Sequence, residues 1–146
     1  MRLIQKHKLF LYKKRASWRR LRRLLFASPA EVQLIRIMGG KVITADIFRD
    51  HHTNFPITLV LSMGPVFKTE LVKREVRAGA MWIDFGNDIK RGIEVDSATF
   101  HGDVTRQYER DEYCAQYGWQ LLHVPVADIY HTPNIVHDRI LKFLSK

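Results

Sequence analysis

The sequence predicts an α/β fold: a mixed central β-sheet flanked by helices, with a basic N-terminal helical arm ahead of it. Three observations lead there. The stretch from Met81 to Trp119 holds two short apolar runs, Trp82-Ile83-Asp84-Phe85 and Gly92-Ile93-Glu94-Val95-Asp96. Gly86, Asn87 and Asp88 between them favour a turn, so the pair reads as a β-hairpin. Helical patterns at residues 28–40, 105–117 and 132–144 alternate with apolar strand-like runs, the ordering of a sheet covered by helices. Finally, the formal net charge of +9 is confined to one end of the chain.

Residues 1–26 carry ten Lys or Arg, and Glu31 is the first acid. The remaining 120 residues hold 14 basic and 15 acidic groups, close to balance. The expected organisation is therefore a basic arm over residues 1–27 and one domain over residues 28–146. Within the arm Ser17 caps a helix whose apolar positions are Trp18, Leu21, Leu24 and Leu25. Lys13, Lys14, Arg15, Arg19, Arg20, Arg22 and Arg23 then form a handle for a polyanion, with DNA as the expected partner. The 146 residues suffice for one domain with a sizeable core. The single cysteine, Cys114, excludes an internal disulfide framework and a Cys-rich zinc site. No apolar run approaches the length of a membrane span. A cytoplasmic setting, in a bacterial or phage-type nucleoid context, is the expectation.

The elements follow in order. Ser28, Pro29 and Glu31 make an N-cap, a first-turn proline and a capping box, and Gly39-Gly40 closes that helix. Lys41–Phe48 reads as a strand or as part of a helix, and Ile57–Met63 as a strand. The segment between them, with His51 and His52, reads as a polar loop. Phe67–Val76 alternates and predicts an edge-like strand that Gly79 turns into the central hairpin. Thr105–Tyr117 predicts a helix closed by Gly118, with Cys114 at its middle. Trp119–Pro125 predicts a buried strand on which His123 is structural. Thr132-Pro133 opens a last helix with Ile135, Val136, Ile140, Leu141 and Leu144 toward the core.

The chemistry gathers at the hairpin. Two residues apart on a strand, Glu94 and Asp96 share a face, and Asp84 lies on the neighbouring strand. Converging carboxylates repel unless protons or a metal neutralise them, and hard oxygen donors suit Mg²⁺ or Mn²⁺. Lys73, Arg74, Arg77, Lys90 and Arg91 are expected around this acid cluster, where they would attract a phosphodiester. His101, five residues beyond Asp96, is a candidate proton acceptor in a loop of small residues.

Asp84, nine intervening residues, Glu94-Val95-Asp96, then His101, then Glu109-Arg110-Asp111 on a helix and Gly118-Trp119 before an apolar strand form an ordered set. Over roughly residues 66–145 it resembles the PD-(D/E)XK nuclease superfamily, nearest its very-short-patch-repair-endonuclease-like branch. The resemblance implies a restriction-endonuclease-like fold and a Mg²⁺-dependent DNA endonuclease, a phosphodiester hydrolase. It implies Asp84, Glu94 and the Val95 carbonyl as metal ligands, with Asp96 and His101 completing the catalytic group. Glu31, Arg110 and Asp111 would support them. The superfamily's usual Lys is Asp96 here, which leaves the activation of water open. A catalytically silent DNA-binding or assembly module of a larger nucleoprotein complex, retaining the nuclease fold, is the alternative.

Overall fold

The computed structural model describes residue 5, residues 18–97 and residues 104–145. Residues 18–25 are helical (α1). Then come α2 (Pro29–Ile37), β1 (Lys41–Arg49), β2 (Pro56–Ser62), α3 (Pro65–Thr69), β3 (Lys73–Ala78), β4 (Met81–Gly86) and β5 (Arg91–Asp96). After them lie α4 (Val104–Ala115), β6 (Gln120–Pro125), α5 (Val126–His131) and α6 (Pro133–Leu144). The main sheet has the order β3-β4-β5-β6, with β3, β4 and β5 antiparallel and β6 parallel to β5. The α/β class and the mixed sheet stand as the sequence predicts. β1 and β2 form a separate antiparallel ribbon.

Helices cover both faces of the main sheet. On one, Leu34 and Ile35 of α2, Ile129 of α5 and Val136, Ile140 and Leu144 of α6 pack with Phe67, Phe85, Ile93 and Val124. On the other, Cys114 of α4 meets Ala78 and Ile83, with Tyr113, Trp119 and Leu121 closing round them. Gly86 and Gly92 pair across β4 and β5; a Cβ on Gly86 would strike Val76 and the Trp119 ring, and one on Gly92 would strike Leu121 and Ile83. Gly79, at φ +59, makes the β3–β4 turn, and the Tyr113 hydroxyl accepts the Ala80 N–H there.

The α2 signals act as expected: Ser28 Oγ accepts the Glu31 N–H at 3.2 Å, and Pro29 occupies the first turn. Several expectations need correction. Phe67–Val76 is not one strand, because Gly64-Pro65 starts the short helix α3 and Leu71, at φ +56, turns the chain into β3. β6 is an edge strand whose residues are mostly half-buried. Ile135 and Leu141 of α6 are exposed, since Val136, Ile140 and Leu144, with Phe143 beside them, make the stripe that faces the core. Cys114 is buried, but it lies at the end of α4 rather than its middle. Helix α5 was not anticipated; it follows directly on Pro125. The end of the arm is not separate from the domain, because Arg20, Arg22 and Arg23 and the Leu24 carbonyl bond to β3 and to the β1–β2 loop.

Candidate active site

The hairpin turn lies at one end of the sheet and the acids at the other. Asn87 closes the turn: its Oδ1 accepts the Arg91 N–H at 3.0 Å. The β4–β5 register runs through Gly86–Gly92 and Phe85–Ile93. At the next position a side chain takes over, with Asp84 Oδ2 accepting the Val95 N–H at 2.9 Å. This holds the buried Asp84 carboxylate beside the carboxyl group of Glu94.

Two further acids join them. In the β3–β4 register Arg74 faces Phe85 and Val76 faces Ile83, which brings Glu75 opposite Asp84. Glu75 has φ +54, and both Arg74 and Glu75 are buried. Glu31 reaches over from the first turn of α2. One carboxylate oxygen from each of Glu31, Glu75 and Asp84 lies within 4.8 Å of the others. Instead of serving only as a capping residue, Glu31 belongs to this group.

Arginines flank the acids. Arg110 of α4 places Nη2 2.5 Å from Glu94 Oε1 and 2.5 Å from the Trp82 carbonyl. Arg23 Nε donates to Glu75 Oε2 at 2.7 Å, and Arg20 Nε donates to the Glu75 carbonyl at 3.2 Å. Arg74 is buried among Glu31, Glu75 and Asp84; its Nη1 donates to the Leu24 carbonyl at 3.0 Å.

A second polar group sits where the parallel strands β5 and β6 end. His123 faces Glu94 in register. Its Nδ1 lies 3.0 Å from Asp96 Oδ2 and its Nε2 lies 2.6 Å from Asp111 Oδ1. Gln107 Nε2 donates to Asp96 Oδ2 at 2.6 Å. Arg110 and Asp111 follow Gln107 by three and four residues, so one side of α4 grips Asp96, Glu94 and His123 together.

All of these acids except Glu75 and Asp111 line one cavity of about 680 Å³, bounded also by Arg23, Arg106, Arg110 and His123. Burial pushes the Glu94 carboxyl up to about 8, reinforced by the neighbouring Asp84. Burial also raises Glu31, well above the usual range, as well as Glu75 and Asp84. The hydrogen bond to Asp96, with a second to Asp111, holds His123 at about 9, so it is an imidazolium at neutral pH.

No family model, curated protein or solved structure matches this chain with significance. The chemistry of the site is therefore that of its own residues.

Glu31, Asp84, Glu94, Val95 and Asp96 line the same cavity; Arg110 bonds Glu94, and Asp111 bonds His123. Three expectations fail. Asp96 is not held against Asp84; it is bound to His123 and Gln107. Lys90 and Arg91 sit at the turn end, where Lys90 Nζ donates to the Tyr117 carbonyl and Arg91 Nη1 to the Phe143 carbonyl, both at 2.6 Å. Arg20, Arg22 and Arg23 do not form a free polyanion face, because each is bonded to an acid or a carbonyl of the chain itself. Arg19 and Lys73 are exposed. Lys13, Lys14, Arg15 and His101 lie outside the described residues. Sequence reasoning missed Glu75 and His123 as site residues. Counting back from the Gly79 turn places Glu75 across from Asp84, which was the available signal. For His123 it was the level it shares with Glu94.

Proposed function

We propose that this chain is a metal-dependent endonuclease that hydrolyses DNA phosphodiester bonds, with the basic arm adding sequence-independent phosphate contacts. The observation that carries the reading is the convergence of Glu31, Glu75, Asp84 and Glu94, flanked by arginines, beside an open cavity. Burying this many carboxylates together costs free energy that a core does not need. The ordered motif set that resembles the PD-(D/E)XK superfamily supports the same class.

The donor set fits a hard divalent cation. It offers only oxygens, with no thiolate or imidazole among the closest three, which suits Mg²⁺ or Mn²⁺. Glu31, Glu75 and Asp84 would hold it, with Glu94 beside them. When bound, such an ion supplies Lewis acidity toward a phosphoryl oxygen. The residues around it do the rest. Arg110 fixes the rotamer of Glu94, and the Val95 N–H fixes Asp84. Asp96, oriented by His123 and Gln107, presents a carboxylate to the cavity that can accept a proton from water. Arg106 lines the wall and suits a phosphate backbone.

The test is cleavage of labelled supercoiled plasmid and branched DNA with Mg²⁺ or Mn²⁺, comparing wild type with Asp84→Ala and Glu94→Ala. Metal-dependent cutting is expected in wild type, with a loss of at least about a hundredfold in either variant. DNA binding at low salt without cutting under either metal would sink the reading. It would favour the silent binding module, for which the engagement of Glu75 by Arg23 is the structural argument.

A further inference from the structure

The cavity beside the acid cluster has two unlike walls. It lies at the sheet end where β5 and β6 stop, with α4 on one face of the sheet and α2 and α5 on the other. From α4 come Arg106, Gln107 and Arg110, all polar. From the first turn of α2 and from α5 come Pro29, Ala30, Val126 and Tyr130. Val126 and Tyr130 are four residues apart, so they share a face of α5. The polar groups on this side are already engaged: Ser28 Oγ accepts the Glu31 N–H, and Glu31 turns to the other acids. Tyr130 is 52% exposed, and its side chain makes no hydrogen bond or ring contact among the described residues. Hydrolysis of a phosphodiester calls on acids and cations. It gives no task to an apolar wall that carries an exposed aromatic ring.

We propose that the substrate is DNA with an unpaired nucleotide beside the cleaved bond, and that the base of this nucleotide stacks on Tyr130 against the wall of α2 and α5. The proposal rests on the nuclease reading above and names the substrate class of the same site. A nucleotide has both characters of the cavity: a phosphate for the polar side and a flat, largely apolar base for the other. A cavity of about 680 Å³ is in the range that encloses a small organic ligand. Within a duplex the bases offer only their edges to the grooves, and stacking covers their faces. To reach Tyr130 a paired base must leave the stack, at a cost that a single strand does not meet. Stacking on an aromatic side chain tolerates any sequence, because every base has a π-face. The wall therefore selects strand structure and not sequence.

The experiment measures cleavage by the full chain, with Mg²⁺ or Mn²⁺, of end-labelled DNAs of one sequence: a single strand, a duplex bearing a single-stranded flap, and the fully paired duplex. The single strand and the flap are expected to be cut at least about tenfold faster than the paired duplex. Tyr130→Ala is expected to raise KM on the single strand about tenfold and to leave kcat within about threefold, and Tyr130→Trp, which restores a stacking surface, to recover KM. In wild type, one abasic position scanned along the strand should reproduce the Tyr130→Ala loss at a single place next to the cut. On that abasic strand Tyr130→Ala should add no further loss, because base and ring are one interaction. Equal rates on paired and unpaired DNA would overturn the substrate class while leaving the nuclease reading intact. An unchanged KM in Tyr130→Ala, or an abasic scan with no sensitive position, would overturn the stacking role. No cutting of any of these DNAs with either metal would overturn the nuclease reading itself, and this proposal with it.

Discussion

Glu75 adopts φ +54 inside a strand, a conformation that costs a non-glycine residue about 1 kcal/mol or more. Its carboxylate meets those of Asp84 and Glu31 in the buried cluster. Glu75→Gly should therefore raise the melting temperature of the metal-free protein by a few degrees while weakening Mn²⁺ binding at least tenfold, on the order of 1.4 kcal/mol. Thermal melts and Mn²⁺ titration check both halves; a variant that loses stability and keeps metal affinity would contradict the role given to Glu75. At this scale the sequence was only partly legible. Asp84 and Glu94 announce themselves because acids end apolar runs. Glu75 hides within a charged stretch, where a surface face is the simpler assignment. His123 hides within an apolar strand, where only its partners on α4 reveal it.

At the scale of elements, α1 is the instructive case. Arg22 pairs with Asp50 through two hydrogen bonds, at 2.6 and 2.9 Å, and this pair holds the Asp50 carboxyl well below the usual range. Arg23 pairs with Glu75. Composition gives the number of arginines in a helix, but it does not show which of them the fold has already claimed. Arg19→Ala should lower the slope of log binding constant against log salt by about 0.7 to 0.9 on DNA. Arg22→Ala should leave that slope unchanged and loosen α1 from the β1–β2 loop. Fluorescence anisotropy of labelled DNA at several salt concentrations separates the two; equal slopes for both variants would refute the distinction. Helix α3 was misread for a related reason. Phe67, Thr69 and Leu71 fit a period of two on paper, whereas Gly64-Pro65 sets a helix start that the alternation obscured.

For the whole molecule, pH acts through the same buried groups. Glu94 is raised from 4.5 to about 8, so the folded state holds a proton that the unfolded state releases. Stability therefore falls as pH rises through that window. His123 is raised from 6.5 to about 9; its contribution is complete below 6.5 and lost as pH rises through 9. Both act in the same direction. The metal-free protein should lose several kcal/mol between about pH 6 and pH 9. Glu94→Gln should flatten the early part of that loss and His123→Asn the later part, as read by denaturant midpoints across pH. A midpoint that rises with pH would overturn the assignment. The α/β class was legible from the order of runs and turns, because turn residues and hydrophobic period are local properties. The site was less legible, since it depends on register across three strands and two helices.

The β1–β2 ribbon has a consequence of its own. It packs chiefly on itself, and Ile43, Ile47, Phe48, Leu59 and Leu61 are exposed along it. The main sheet, by contrast, lies between two helical layers. Placed in D₂O, the ribbon amides should exchange their protons in an early, separate phase. Those of β4 and β5 should wait for global opening. Deuterium uptake would thus divide this one chain into an outer unit that breathes and an inner unit that keeps the carboxylates in place.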